Sequence, residues 1–128
     1  MSRHDTWDEA VRALLDHFES QYNHWILNAD HTVSPAELLE WAAWFEAASK
    51  NGTRIVKQEQ AGPYFISTVF LGTNHRLLGA GPPLLFETMV FQAEGARELE
   101  VDLMRCSTWE QAEQQHAAMR ELIRMVEG

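Results

Sequence analysis

Tyr64 to Gly72, YFISTVFLG, and Leu84 to Phe91, LLFETMVF, are the two stretches whose reading decides the fold. Both are rich in aromatic and β-branched residues, the side chains that suit a pleated, half-buried surface, and both read as central strands. Upstream, Arg54 to Gln60 reads as a short, mostly polar strand around Ile55 and Val56, joined to the first run by the tight connection Ala61-Gly62-Pro63. Downstream, Glu98 to Cys106 alternates Leu99, Val101 and Leu103 with charged neighbours and reads as a fourth, weaker strand. Short links between successive strands favour an antiparallel meander.

Beyond the strands the apolar period becomes helical. A last helix is expected from about Trp109 to Val126, capped by Ser107 with Glu110 and lined on one side by Ala112, His116, Met119, Leu122, Ile123 and Val126. At the other end, Thr6 and Glu9 form a capping-box pattern. Trp7, Val11, Leu14, Leu15, Phe18, Tyr22, Trp25 and Ile26 follow at the spacing of one buried stripe, and the polar run Asn28 to Thr32 ends it. A second helix is expected from Ser34, with Pro35 at its first position, Glu37 completing another capping box and Asn51-Gly52 stopping it. The expectation is therefore one α+β domain: an N-terminal helical hairpin over residues 1–52, then a ββββα unit over 53–128, with the last helix packed on a four-stranded antiparallel meander.

The bulk properties bound the class. A chain of 128 residues can bury roughly two thirds of its unfolded surface and so sustain a core without staples. A single cysteine, Cys106, permits no internal disulfide or cysteine-based zinc site, and lacks any local signature of a nucleophile. No signal-peptide run and no span of membrane length is present, which leads to an expected cytoplasmic location and no membrane partner. The formal net charge of -9 is uneven: -7 over residues 1–46, +2 over 47–93 and -4 over 94–128. Such a surface repels phosphate backbones, so direct nucleic-acid binding is disfavoured, whereas a basic protein surface is an allowed partner. Solubility alone also explains the charge.

Few side chains invite chemistry. The connection GTNHRLLGAGPP, residues 72–83, is long for a hairpin and carries His75 and Arg76 as its only ionisable groups. Glu87 shares a strand face with Leu85, Met89 and Phe91, where a buried carboxylate needs a partner. His75, Arg54, Lys57 and His116 are the candidates. His75, Glu87 and His116 are thus the candidate catalytic group for acid–base or metal chemistry, against the plainer reading of Glu87 as a structural ion pair. His17, His24 and His31 recur every seven residues, too far apart along a helix for two to share one metal, and read as a solvated flank. Trp41 and Trp44 are core residues or partner anchors. Gly79-Ala80-Gly81 precedes two prolines and no Walker lysine, and neither a nucleophile elbow nor a zinc-protease motif occurs. No cofactor or bound metal is expected.

Ser67 to Gly72, then Asn74-His75, Gly81 to Phe91, and finally Thr108-Trp109-Glu110-Gln111-Ala112 to His116 resemble a family of small proteins encoded by phages and prophages. The similarity covers about residues 54–118. The family's usual Asp is Asn74 here, which argues against a metal-binding carboxylate at that position. The resemblance implies phage biology and carries no mechanism with it.

The expected function is that of a phage or prophage accessory protein that binds a host or phage protein, such as a nucleic-acid-handling complex. Inhibition of a bacterial defence system, as by an anti-CRISPR protein, is one concrete version. Asp8, Glu9, Asp16, Glu19, Trp41, Trp44, His75 and Arg76 are the candidate contact residues. A small enzyme built on His75, Glu87 and His116, and a virion or assembly component, are the alternatives.

Overall fold

The computed structural model describes residues 9–11, 23–76, 80–94 and 97–127, with the backbone alone for 93–94 and 97–102. Its architecture is α+β, with the element order β1 (Trp25–Leu27), β2 (Val33–Pro35), α1 (Leu38–Asn51), β3 (Ile55–Ala61), β4 (Tyr64–Phe70), β5 (Phe86–Glu94), β6 (Arg97–Cys106) and α2 (Trp109–Glu127). Strands β3 to β6 form the expected four-stranded meander, every neighbouring pair antiparallel. Helix α2 packs on that sheet through Ala112, His116, Met119 and Ile123, the buried stripe of its three-and-four spacing.

The period of two decides which side chains meet the helix. Ile66, Thr68 and Phe70 of β4 and Phe86, Thr88 and Val90 of β5 are buried. The register pairs Thr68 with Thr88 and Ile66 with Val90, so these residues share the face that α2 covers. Their neighbours Val69 and Glu87, also paired, point to the other face. The core has two parts. Trp25, Leu27, Phe70, Leu85, Phe86 and Ala112 form one cluster, and Ile66, Val90, Met119 and Ile123 form the other.

The helical hairpin is only partly described. Residues 9–11 are helical, and the rest of the expected first helix up to residue 22 lies outside the described residues. Its expected end is corrected: Trp25 and Ile26 belong to β1, which pairs with β2 in a separate two-stranded sheet. Trp25 N–H donates to the Gly72 carbonyl and Ala36 N–H to the His24 carbonyl. His24 also bridges to Thr73. These long-range backbone bonds override the helical spacing of Trp25 and Ile26, and Trp25 and Leu27 are buried as alternating strand residues. The start of α1 moves for the same reason. Val33 to Pro35 are held in β2, so the helix starts at Leu38 behind an extended Glu37 that makes no side-chain cap bond. At its other end Gly52 adopts the left-handed conformation, and its N–H closes on the Ala48 carbonyl.

The cap of α2 also differs from expectation by one residue. Thr108 Oγ1 accepts from Gln111 N–H, and Gln111 Oε1 accepts from the N–H groups of Ser107 and Thr108. Thr108 with Gln111, in place of Ser107 with Glu110, makes the reciprocal capping box.

Gly72 is where the two sheets and α1 meet. Its φ of 81° is left-handed, and a Cβ there would stand 2.9 Å from the Phe45 ring and 3.1 Å from Trp41 Nε1. Gly72→Ala combines a strained backbone with overpacking and is expected to cost about 2–3 kcal/mol. A urea denaturation midpoint reads this directly, and an unchanged midpoint contradicts the close approach.

Candidate functional site

The long connection is tied at its neck. His75 N–H donates to the Leu84 carbonyl. The Asn74 side-chain oxygen accepts from the N–H groups of Arg76 and Leu84. The Asn74 side chain is therefore used for pinning backbone. His75 Nε2 lies 3.0 Å from Thr73 Oγ1, and Arg76 Nε donates to the Pro82 carbonyl. Both ionisable groups of the loop hold the loop itself.

Glu87 is buried, as its neighbours suggested, but its partner is none of the four expected candidates. The register places Arg105 opposite it on β6, and Arg105 Nε donates to Glu87 Oε2 at 3.0 Å. This is the structural ion pair of the plainer reading, one strand away and on the face turned from α2.

His116 is buried on the other face. Its Nε2 lies 2.9 Å from Glu59 Oε1, its Nδ1 lies 2.7 Å from Thr68 Oγ1, and Thr68 Oγ1 lies 2.7 Å from Thr88 Oγ1. Lys57 and Arg120 flank the same carboxylate at 3.9 and 3.5 Å. In the neutral tautomer whose Nε2–H donates to Glu59, Nδ1 accepts from the Thr68 hydroxyl and the Thr68 oxygen accepts from Thr88. Carboxylate, imidazole and hydroxyl stand in the order of a nucleophilic triad, but the Thr68 hydroxyl has no exposed surface and cannot meet a substrate. The chain instead fastens α2 to β3, β4 and β5.

The expected trio of His75, Glu87 and His116 is therefore not a site. His75 serves the loop neck, and Glu87 and His116 lie on opposite sides of one sheet. Among the described residues no three His, Cys, Asp or Glu groups are placed to share a metal ion. Burial pushes the Cys106 thiol above its usual range, against an opposing backbone hydrogen bond with Thr108, which fits an unreactive strand-end thiol.

Apart from these groups lies an aromatic cleft of about 460 Å3 between the β1–β2 turn, α1, the start of β3 and the start of α2. Leu27, Asn28, His31, Trp44, Ile55 and Trp109 line it. Its two indoles are held from behind by the core. Trp44 meets Phe70 edge-on at 5.6 Å, Phe70 meets Phe86 at 5.2 Å, and Phe86 meets Trp109 at 6.4 Å. These T-shaped contacts are the favoured geometry of aromatic pairs and fix the walls. The front of Trp109 carries the His31 imidazole, stacked at 3.6 Å with the planes 10° apart.

The turn that presents His31 is built by its polar residues. Asn28 Nδ2 donates to the hydroxyl oxygens of Thr32 and Ser34, and Asn28 N–H to the Thr32 carbonyl. Thr32 donates its hydroxyl at 2.6 Å and its N–H at 3.1 Å to Asp30 Oδ1. Led by the hydroxyl, these bonds hold the Asp30 carboxyl below the usual carboxylate range. His31 itself has a φ of 71°, a left-handed conformation that His adopts more readily than most residues.

Compared with protein families, curated proteins and solved structures, the chain matches none.

Of the expected contact residues, Asp8, Asp16 and Glu19 lie outside the described residues and Glu9 is exposed. Trp44 lines the cleft, while Trp41 is packed against Phe45 and His24 at 4.7 Å each. Sequence reasoning missed His31, Trp109, Leu27 and Ile55 as neighbours. Trp109 was legible as a helix-start aromatic, but nothing local links it to a turn 78 residues earlier.

Proposed function

We propose that the protein is a phage or prophage accessory protein that acts by binding another protein, with inhibition of a bacterial defence complex as its concrete form. The observation that carries the binding reading is the rigid aromatic cleft between Trp44 and Trp109. Large, pre-positioned aromatic side chains around a desolvated pocket are the usual anchors of protein interfaces. The volume lies within the range of specific binding pockets, and the polar groups Asn28, His31 and Thr53 at its wall supply orientation. The phage setting rests on the sequence resemblance, and the acidic balance of -9 favours a basic protein surface over nucleic acid.

The test is a tagged pull-down from bacterial host lysate, infected and uninfected, read by quantitative mass spectrometry. Ile55, 42% exposed at the cleft wall, is changed to Lys as the control. Enrichment of one defence or replication complex, lost in Ile55→Lys, supports the proposal. Enrichment of capsid or tail proteins replaces it with an assembly role, and no specific partner overturns it. Charge reversal at Asp8, Glu9, Asp16 and Glu19 is expected to slow association with the captured complex about tenfold at low salt, and less at high salt. Surface plasmon resonance across a salt series checks this.

A further inference from the structure

We infer that the cleft between Trp44 and Trp109 receives an arginine side chain of the protein partner, and that the His31 ring is the resident placeholder for its guanidinium. The inference rests on the protein-binding reading of the cleft and names the chemistry of its occupant.

Three observations converge on a planar cation. First, the Trp109 face already holds a planar, nitrogen-bearing group at stacking distance, with ring centroids 3.6 Å apart and only 10° of tilt. A guanidinium stacks on an indole in the same manner and adds attraction to the ring's negative face. Second, no positive charge of the wall opposes a cation. No Lys or Arg is among its lining residues. The neighbouring cation of β3, Arg54, is turned away, with its Nε on the Phe70 carbonyl and its guanidinium over the Phe45 ring. Beside His31 stands Asp30, an exposed carboxylate whose Oδ1 is fixed by Thr32. Third, Leu27, Ala29 and Ile55 supply apolar wall for the three-carbon stem of an arginine, which buries its methylenes while its head stays polar.

His31 fits the part of a placeholder. It sits at the tip of a short turn, is exposed, and is held in a left-handed conformation. Swinging its ring off Trp109 breaks no hydrogen bond of the turn, whose side-chain bonds run among Asn28, Asp30, Thr32 and Ser34 and to which His31 adds only its backbone N–H, on the Asn28 carbonyl. The guanidinium then lies on the freed indole face with its charge toward Asp30.

The test uses the full chain and nuclear magnetic resonance of the tryptophan indole N–H groups. A blocked glycine-arginine-glycine peptide is titrated against the same peptide with citrulline, which has the shape without the charge, and with leucine. The expected result is saturable shifts at Trp44 and Trp109 with the arginine peptide, at least about tenfold weaker binding of the other two, and loss of affinity with added salt. Ile55→Lys abolishes the effect, whereas Ile55→Glu keeps or strengthens it. His31→Asn, which tolerates the left-handed backbone but offers no ring, tightens binding about threefold by freeing the indole.

Equal or better binding of the leucine peptide overturns the inference, as do arginine-peptide shifts that avoid both indoles or fail to saturate. Weaker binding by His31→Asn overturns the placeholder. In the pull-down, loss of a captured complex in both Ile55→Lys and Ile55→Glu keeps the protein-binding function and removes the cationic anchor. Capture of no partner at all removes the function itself.

Discussion

Replacing His116 by alanine is expected to cost about 3–5 kcal/mol, because a large buried side chain is lost and its polar partners are stranded. The imidazole is 2% exposed and touches polar groups at both nitrogens, Glu59 on one side and Thr68 on the other. Alanine leaves a cavity between α2 and the sheet. It also deprives the Thr68 hydroxyl of its imidazole partner and Glu59 of its contact with Nε2. The asymmetry of hydrogen bonding gives a sharper version of the experiment. Removing one partner of a buried polar chain is costly, while removing all of them together is nearly neutral. His116→Leu with Thr68→Val and Thr88→Val is therefore expected to recover most of the stability that His116→Ala loses. Urea denaturation at constant slope measures both. An unchanged midpoint in His116→Ala places the histidine outside the core network, and no recovery in the triple variant means that packing, not hydrogen bonding, carries the loss.

His116 also shows where the sequence was legible and where it was not. Its position in the buried stripe of the last helix follows from local spacing alone. So do the central strands, because YFISTVFLG and LLFETMVF fit no solvated element, and the four-stranded meander with its covering helix stands as expected. What the histidine bonds to depends on register. Glu59 meets it because β3 pairs Glu59 with Ile66 and so turns the carboxylate to the helix face. Glu87 sits one residue out of phase with Thr88 and faces away, toward Arg105. A shift of one residue reverses both assignments, and no local pattern fixes it.

The segment 25–35 failed for a related reason. Trp25 fits both a helical stripe with Ile26 and an alternating strand with Leu27, and backbone bonds with Gly72 and Asn74 decide between them. The same distant contacts build the cleft, so its lining combines four parts of the chain that share no motif. Capping boxes were legible as a type of signal but ambiguous in place. Thr108 with Gln111 and Ser107 with Glu110 overlap by one residue, and only the side-chain geometry picks the first.

The aromatic chain behind the cleft yields the second large effect. Phe70 has no exposed surface and stands between Trp44 and Phe86, so it belongs to the core and backs the wall of the cleft. Phe70→Ala is expected to cost about 3–5 kcal/mol, the usual loss for deleting a fully buried phenylalanine. Phe70→Leu keeps most of the volume and is expected to cost about 1–2 kcal/mol. The leucine variant is the informative one for function, because it folds. It removes the edge-on support of Trp44 without touching any group that lines the cleft, so the Trp44 indole gains freedom while Trp109, supported through Phe86, keeps its place. Affinity for the captured partner is then expected to fall several-fold through the cost of ordering one loosened wall. A Phe70→Leu protein that unfolds at the expected lower midpoint yet binds with full affinity would show that Trp44 needs no support from the core, and would leave Trp109 as the side of the cleft that binds.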